Sequence, residues 1–140
     1  FYPQLAHNPG LLRLFKPMTS FWGLHGLLPD RDREIAILRV AWMKQLPFVW
    51  GEHVRMGKQA GLITDEIVRI AQGSAAGGFD AHETAIIKAV EELQAHSNIT
   101  DQTWDVLAQT WTEGQLIELP LMVGTYQMLG WMQAITQQPL

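Results

Sequence analysis

Along nearly the whole chain apolar residues return every three or four positions, and no Val/Ile-rich stretch alternates every second one. That spacing puts an apolar stripe on each of a series of helices and leaves nothing from which to build a sheet. The residues between the stripes are helix punctuation. Asn8-Pro9 supplies a cap and a first-turn proline for a helix to about Trp22, with a bend expected at Pro17. Pro29-Asp30 starts a second, with Ile35, Leu38 and Trp42 on one face. Pro47 opens a third, closed by Gly61, the residue type that most cheaply takes the left-handed terminal turn. Thr64 is expected to cap a fourth, short helix ending near Gly73, followed by the loop Gly73-Ser74-Ala75-Ala76-Gly77-Gly78.

In the second half, Asp80 and Glu83 have capping-box spacing for a helix through about His96, and Thr100 caps one through Trp111. Thr112 with Gln115 heads the long C-terminal helix, which Pro120 should kink. Gly124 and Gly130 each cost that helix about 1 kcal/mol relative to Ala, so close approach of another helix or a ligand is expected there. With 140 residues and no internal repeat, the expectation is one all-α domain over residues 1–140, a bundle of six to seven helices.

Composition narrows the function. Ten Lys plus Arg against 14 Asp plus Glu give a net charge of −4, which is no footprint for a nucleic-acid backbone. The absence of cysteine removes disulfides, thiolate metal sites and every thiol mechanism. Leu119 to Ile135 is uncharged but broken by Pro120, Gly124, Thr125, Gln127, Gly130 and Gln133, so it reads as a buried helix and no membrane partner is expected. Phe1–Gly10 lacks the basic-then-apolar layout of a signal peptide, and a cytoplasmic location is expected. Six tryptophans, with Met122, Met128 and Met132, fit core packing better than a cofactor cradle. The C-terminal helix carries no charge after Glu118. A helix so apolar needs cover on several sides, which predicts a homo-oligomer.

Few residues invite chemistry. No phosphate loop, dinucleotide-binding glycine pattern or His-Glu-x-x-His pair occurs. Glu52 and His53 make a poor metal site, because adjacent helical positions point about 100° apart and no third ligand stands one turn away. No metal is therefore expected. Glu34 lies near a helix start, where the dipole favours a carboxylate. His53 lies beside apolar Val49 and Trp50, an ordinary setting for a core histidine. Arg39 and Arg55 are of the type that grips a substrate carboxylate in a bidentate fork, although Arg55 is equally suited to a salt bridge with Glu52. Trp50 and Tyr126 are candidate pocket walls or plain packing residues.

The segment Arg31-Asp32-Arg33-Glu34-Ile35-Ala36-Ile37-Leu38-Arg39-Val40-Ala41, with Pro47-Phe48-Val49-Trp50-Gly51-Glu52-His53-Val54-Arg55 and Gln59-Ala60-Gly61-Leu62, resembles the carboxymuconolactone decarboxylase and alkyl hydroperoxidase D family. The resemblance continues through Phe79-Asp80-Ala81-His82-Glu83 to Gly124-Thr125-Tyr126. In that family's redox branch a Glu precedes Cys-x-x-Cys-x-x-x-His. The same spacing from Glu34 puts the cysteine positions at Leu46 and Val49 and the histidine at His53. Glu and His are kept, and both thiols are replaced.

The resemblance implies an all-helical alkyl hydroperoxidase D-like fold, assembly as a trimer or hexamer, and a site beside the Glu-to-His segment. It also implies a carboxy-lyase that needs no cofactor and decarboxylates a small carboxylated lactone or unsaturated acid from aromatic catabolism. His53 would be the proton donor, Glu34 its orienting or relay group, and Arg39 the partner of the substrate anion. An isomerase or hydrolase on a related lactone, or a non-catalytic oligomeric binding or scaffold protein, are the other readings. Peroxidase activity is not expected without the thiols.

Overall fold

The local signals of the sequence account for most of the helix ends. The computed structural model describes residues 2–136. After a single turn, α1 (Tyr2–Leu5), come α2 (Pro9–Leu24), α3 (Asp30–Met43), α4 (Pro47–Gln59), α5 (Thr64–Gln72), α6 (Ala81–His96), α7 (Asp101–Ala108) and α8 (Glu113–Thr136). A 3-10 turn at Ser74–Ala76 lies between α5 and α6, and no strand occurs among the described residues. The all-α expectation and its six to seven substantial helices hold, and no helix among the described residues is long and apolar enough to cross a membrane.

Asn8 caps α2, its side chain accepting from the Leu11 N–H at 3.2 Å. Gly61, with φ of +94°, makes the left-handed turn after α4. The α8 capping box is complete: the Thr112 N–H reaches Gln115 at 2.8 Å, and the Gln115 N–H reaches the Thr112 hydroxyl at 3.4 Å. Two boundaries and one capping box differ from expectation, each because a side chain found a better partner. Thr64 is the first residue of α5 and not its cap; Glu66 instead accepts from the Ile63 N–H at 2.9 Å. Asp80 caps α6, but Glu83 does not complete the box, since its carboxylate binds Arg31 at 2.6 Å. α7 stops at Ala108, short of Trp111, whose indole N–H is donated to Asp32 at 2.9 Å.

The central element is α3, which packs against α4, α5, α6 and α8. Nine of its residues are buried, from Asp32 to Ala41. Ile35, Ile37 and Leu38 lose essentially all solvent contact, each contributing about 1.5–3 kcal/mol of transfer free energy. Arg31 binds α3 to its neighbours, reaching Glu66 and Glu83 at 2.6 Å each and the Gly61 carbonyl at 3.0 Å. The Arg31 hydrogen bond outweighs burial and holds the Glu66 carboxyl below its ordinary value.

The tryptophans divide. Trp22 and Trp111 are in the core, whereas Trp42, Trp104 and Trp131 are exposed, so core packing accounts for only part of the aromatic content. The two α8 glycines divide likewise. A Cβ on Gly130 would meet Lys44 at 3.5 Å, an ordinary contact, whereas one on Gly124 would meet nothing within 4 Å.

Candidate functional site

The candidate site lies where α4 packs on α3 beside Gly57, a buried residue with no side chain. A Cβ at Gly57 would lie 3.0 Å from Leu62 Cδ1, 3.4 Å from Leu38 Cδ1 and 3.8 Å from Glu34 Cβ. The missing side chain leaves room for Leu62 to fold in, with Leu38 and Glu34 of α3 at ordinary contact distance beyond it. His53 stands one turn earlier on the same face of α4 and reaches Glu34: its Nδ1 is 2.7 Å from Oε2. Where Glu34 is ionised its carboxylate only accepts, and Nδ1 then carries the proton in this pair. The opposite ring nitrogen, Nε2, lies 3.1 Å from the Tyr126 hydroxyl supplied by α8, and the two rings stand edge to face. Neutral His53 accepts from Tyr126 there, and the imidazolium donates to it.

Glu34 is completely buried, a position costing several kcal/mol for an unpaired carboxylate. Two partners offset that cost. Beside His53, Arg33 lies 3.1 Å from Glu34 Oε1, while its other arm binds Asp30 at 2.7 Å. Burial works against the Arg33 charge, but the bond to Asp30 and the Glu34 carboxylate prevail, and the guanidinium is held above its ordinary value. Arg33 is a permanent cation.

A cleft of about 500 Å³ opens onto this cluster, with Thr19 and Gly23 of α2, Arg33 of α3, Phe48 and His53 of α4 and Tyr126 of α8 among its walls. The size suits a small organic acid. Glu34 itself does not line the cleft but stands behind His53.

Of the six residues singled out in the sequence, Glu34, His53 and Tyr126 come together. The other three do not. Arg39 points to the opposite side of α3, where it donates to the Ile70 and Ala71 carbonyls at the end of α5 at 3.1 and 2.7 Å and pairs with Glu91 at 2.9 Å. Its charge closes a helix terminus. Arg55 is exposed and sits 3.3 Å from Glu52, the salt bridge that was its alternative. Trp50 packs against Trp42 with the rings tilted and 5.0 Å apart, beside a separate groove. Arg33 was missed, although Asp30 three residues earlier marks it as a paired arginine at a helix start. No group of three or more His, Asp or Glu side chains suited to a metal ion occurs among the described residues.

The Carboxymuconolactone decarboxylase family model matches residues 9–92, more than half of the chain. The chain belongs to this family. The matched carboxymuconolactone decarboxylase region spans α2 through most of α6 and contains Arg33, Glu34 and His53, with Tyr126 outside it. A search of curated proteins and a search of solved structures each gave no match.

Proposed function

We propose that the chain is a carboxy-lyase that works without a cofactor on a small carboxylated lactone or unsaturated acid, with His53 as the proton donor. The reading rests on the hydrogen-bonded series Glu34–His53–Tyr126 ending in a cleft beside the fixed charge of Arg33. In a substrate whose carboxylate-bearing carbon is conjugated to a lactone carbonyl, the carbon–carboxylate bond breaks, carbon dioxide leaves, and its electron pair delocalises onto the carbonyl oxygen. Arg33 stabilises that oxyanion or holds the substrate carboxylate before loss. The imidazolium of His53 then returns one proton to carbon, through Nε2 directly or through the Tyr126 hydroxyl, and is recharged from water. Glu34 fixes the ring and its tautomer and supports its positive charge. Substrate and one proton go in; decarboxylated product and carbon dioxide come out.

A panel of carboxylated muconolactones and related unsaturated acids, followed by loss of ultraviolet absorbance, supplies the test. His53→Ala is expected to lower turnover of the accepted compound by about 10²- to 10⁴-fold, with helicity and assembly intact. Glu34→Gln should act in the same direction. The double variant should lose less than the product of the two single losses, since both residues serve one step. Activity that survives His53→Ala within about threefold eliminates the mechanism. Turnover of no compound by an intact protein favours the scaffold reading.

A further inference from the structure

The outer face of α8 is apolar along its length, and its large side chains are left well exposed. Ile117, Leu121, Met128, Trp131 and Ile135 are 41–81% exposed, and α8 has no charged residue after Glu118. Together with Gly124, beside which a Cβ would find empty space, they follow one another in steps of four, three, four, three and four residues. That is the spacing of a coiled-coil seam, in which a helix of one molecule beds against another. It also reads the same in both directions.

We propose that this seam packs antiparallel against the same seam of a second copy of the chain, about a two-fold axis level with Tyr126. In that register Ile117 lies opposite the partner's Ile135, Leu121 opposite the partner's Trp131, and Gly124 opposite the partner's Met128. The smallest residue of the seam thus faces a long flexible one, which accounts for a glycine in a helix interior where nothing inside the chain requires it. The two α8 helices, uncharged after Glu118, meet without like-charge repulsion between them. The exposed seam side chains offer roughly 600 Å² per copy, or about 1,200 Å² in a pair, the lower bound of a specific interface. A lipid surface suits the face less well, because α8 itself brings no Lys or Arg to it and Lys44 is the one cation lining the groove beside Gly124 and Trp131, where lipid-binding helices carry several. A two-fold contact builds dimers or even-numbered assemblies such as a hexamer, and it has no place in a closed trimer.

The test uses the full chain, which has no cysteine of its own. Ile117→Cys and Ile135→Cys are made separately. In the antiparallel pair two copies of either position lie about 27 Å apart, beyond disulfide reach, while positions 117 and 135 face each other. Oxidation should therefore cross-link a mixture of the two variants and leave each variant alone uncross-linked. Light scattering should give an even-numbered mass for the parent protein, and Leu121→Glu and Trp131→Glu should each at least halve it, with helicity retained by circular dichroism. Cross-linking of either single variant with itself, a monomeric or trimeric parent, or a mass indifferent to both glutamates overturns the proposal. So does a monomer that binds neutral phosphatidylcholine vesicles through this face.

Discussion

Asp32 and Glu34, two residues apart on α3, each hold a different histidine on opposite sides of the helix. Asp32 Oδ2 lies 2.9 Å from His82 Nε2 of α6, and Glu34 Oε2 lies 2.7 Å from His53 Nδ1 of α4. The pairs look alike but differ in what surrounds them. His53 faces the cleft, whereas His82 stacks edge-on against Trp111, which shares the same Asp32 oxygen. The first pair opens onto the cleft; the second joins α3, α6 and the entry to α8.

That difference separates stability from turnover. Asp32→Ala leaves the Trp111 and His82 donors without their acceptor and should cost about 2–5 kcal/mol in urea unfolding. Turnover by the protein that remains folded should stay within a few-fold of the parent. A loss of turnover as large as that of His53→Ala, with little change in the unfolding midpoint, would assign Asp32 to the chemistry instead.

Arg33 is the cation of the cleft, and Arg39 is not. Arg33→Gln should weaken capture of a carboxylated substrate by about 10- to 100-fold, read chiefly in KM, in line with one lost charge-assisted bond. Arg39→Gln should lower stability by freeing Glu91 and the end of α5, leaving KM unchanged. The opposite pattern in KM would return the anion site to Arg39.

Acid should loosen the α6–α7 corner. Burial pushes the Glu92 carboxyl up, but the Thr100 N–H, the Thr103 and Thr100 hydroxyls and Lys88 together pull it below its ordinary 4.5. A carboxyl lower in the folded than in the unfolded chain contributes stability above the unfolded value, and the contribution disappears as pH falls through the folded one. Glu66 acts in the same sense through Arg31. Stability should therefore fall from about pH 5 downward, and Glu92→Gln should be less stable at pH 7 yet show a shallower acid limb. Parallel limbs for parent and variant, from chemical denaturation at each pH, would contradict this.

Dithiol-coupled reduction of hydroperoxides should stay at the level of a boiled sample, because Leu46 and Val49 occupy the positions where the redox branch of the family carries its thiols. Steady peroxide consumption above that background would require a different reductive chemistry in the chain.

The helices were legible because their signals are local: caps, prolines and three-to-four spacing act within one turn. Glu34 and His53 were legible through spacing known from a family. The packing of Leu62 and Leu38 over Gly57, one turn from His53, left no trace in the spacing. Arg39 shows the limit. Five residues after Glu34 it lies about 140° further round the helix, so it cannot share the cleft, whereas Arg33 is near enough for its long side chain to fold back. The end of α7 was misread for a similar reason, since the bond from Trp111 to Asp32 spans most of the chain and leaves no local trace.

Because α3 packs against four other helices, its sequence answers to two demands together: filling the middle of the molecule and aiming Glu34. A substitution on α3 that alters the setting of His53 also disturbs the packing that keeps the chain folded, so inheritance should leave the buried face of this helix nearly untouched. The α2 and α4 edges of the cleft carry no such double duty, and Leu24 and Phe48 there are exposed. Sequence change should therefore accumulate at the mouth of the cleft, while the buried pair behind it stays fixed.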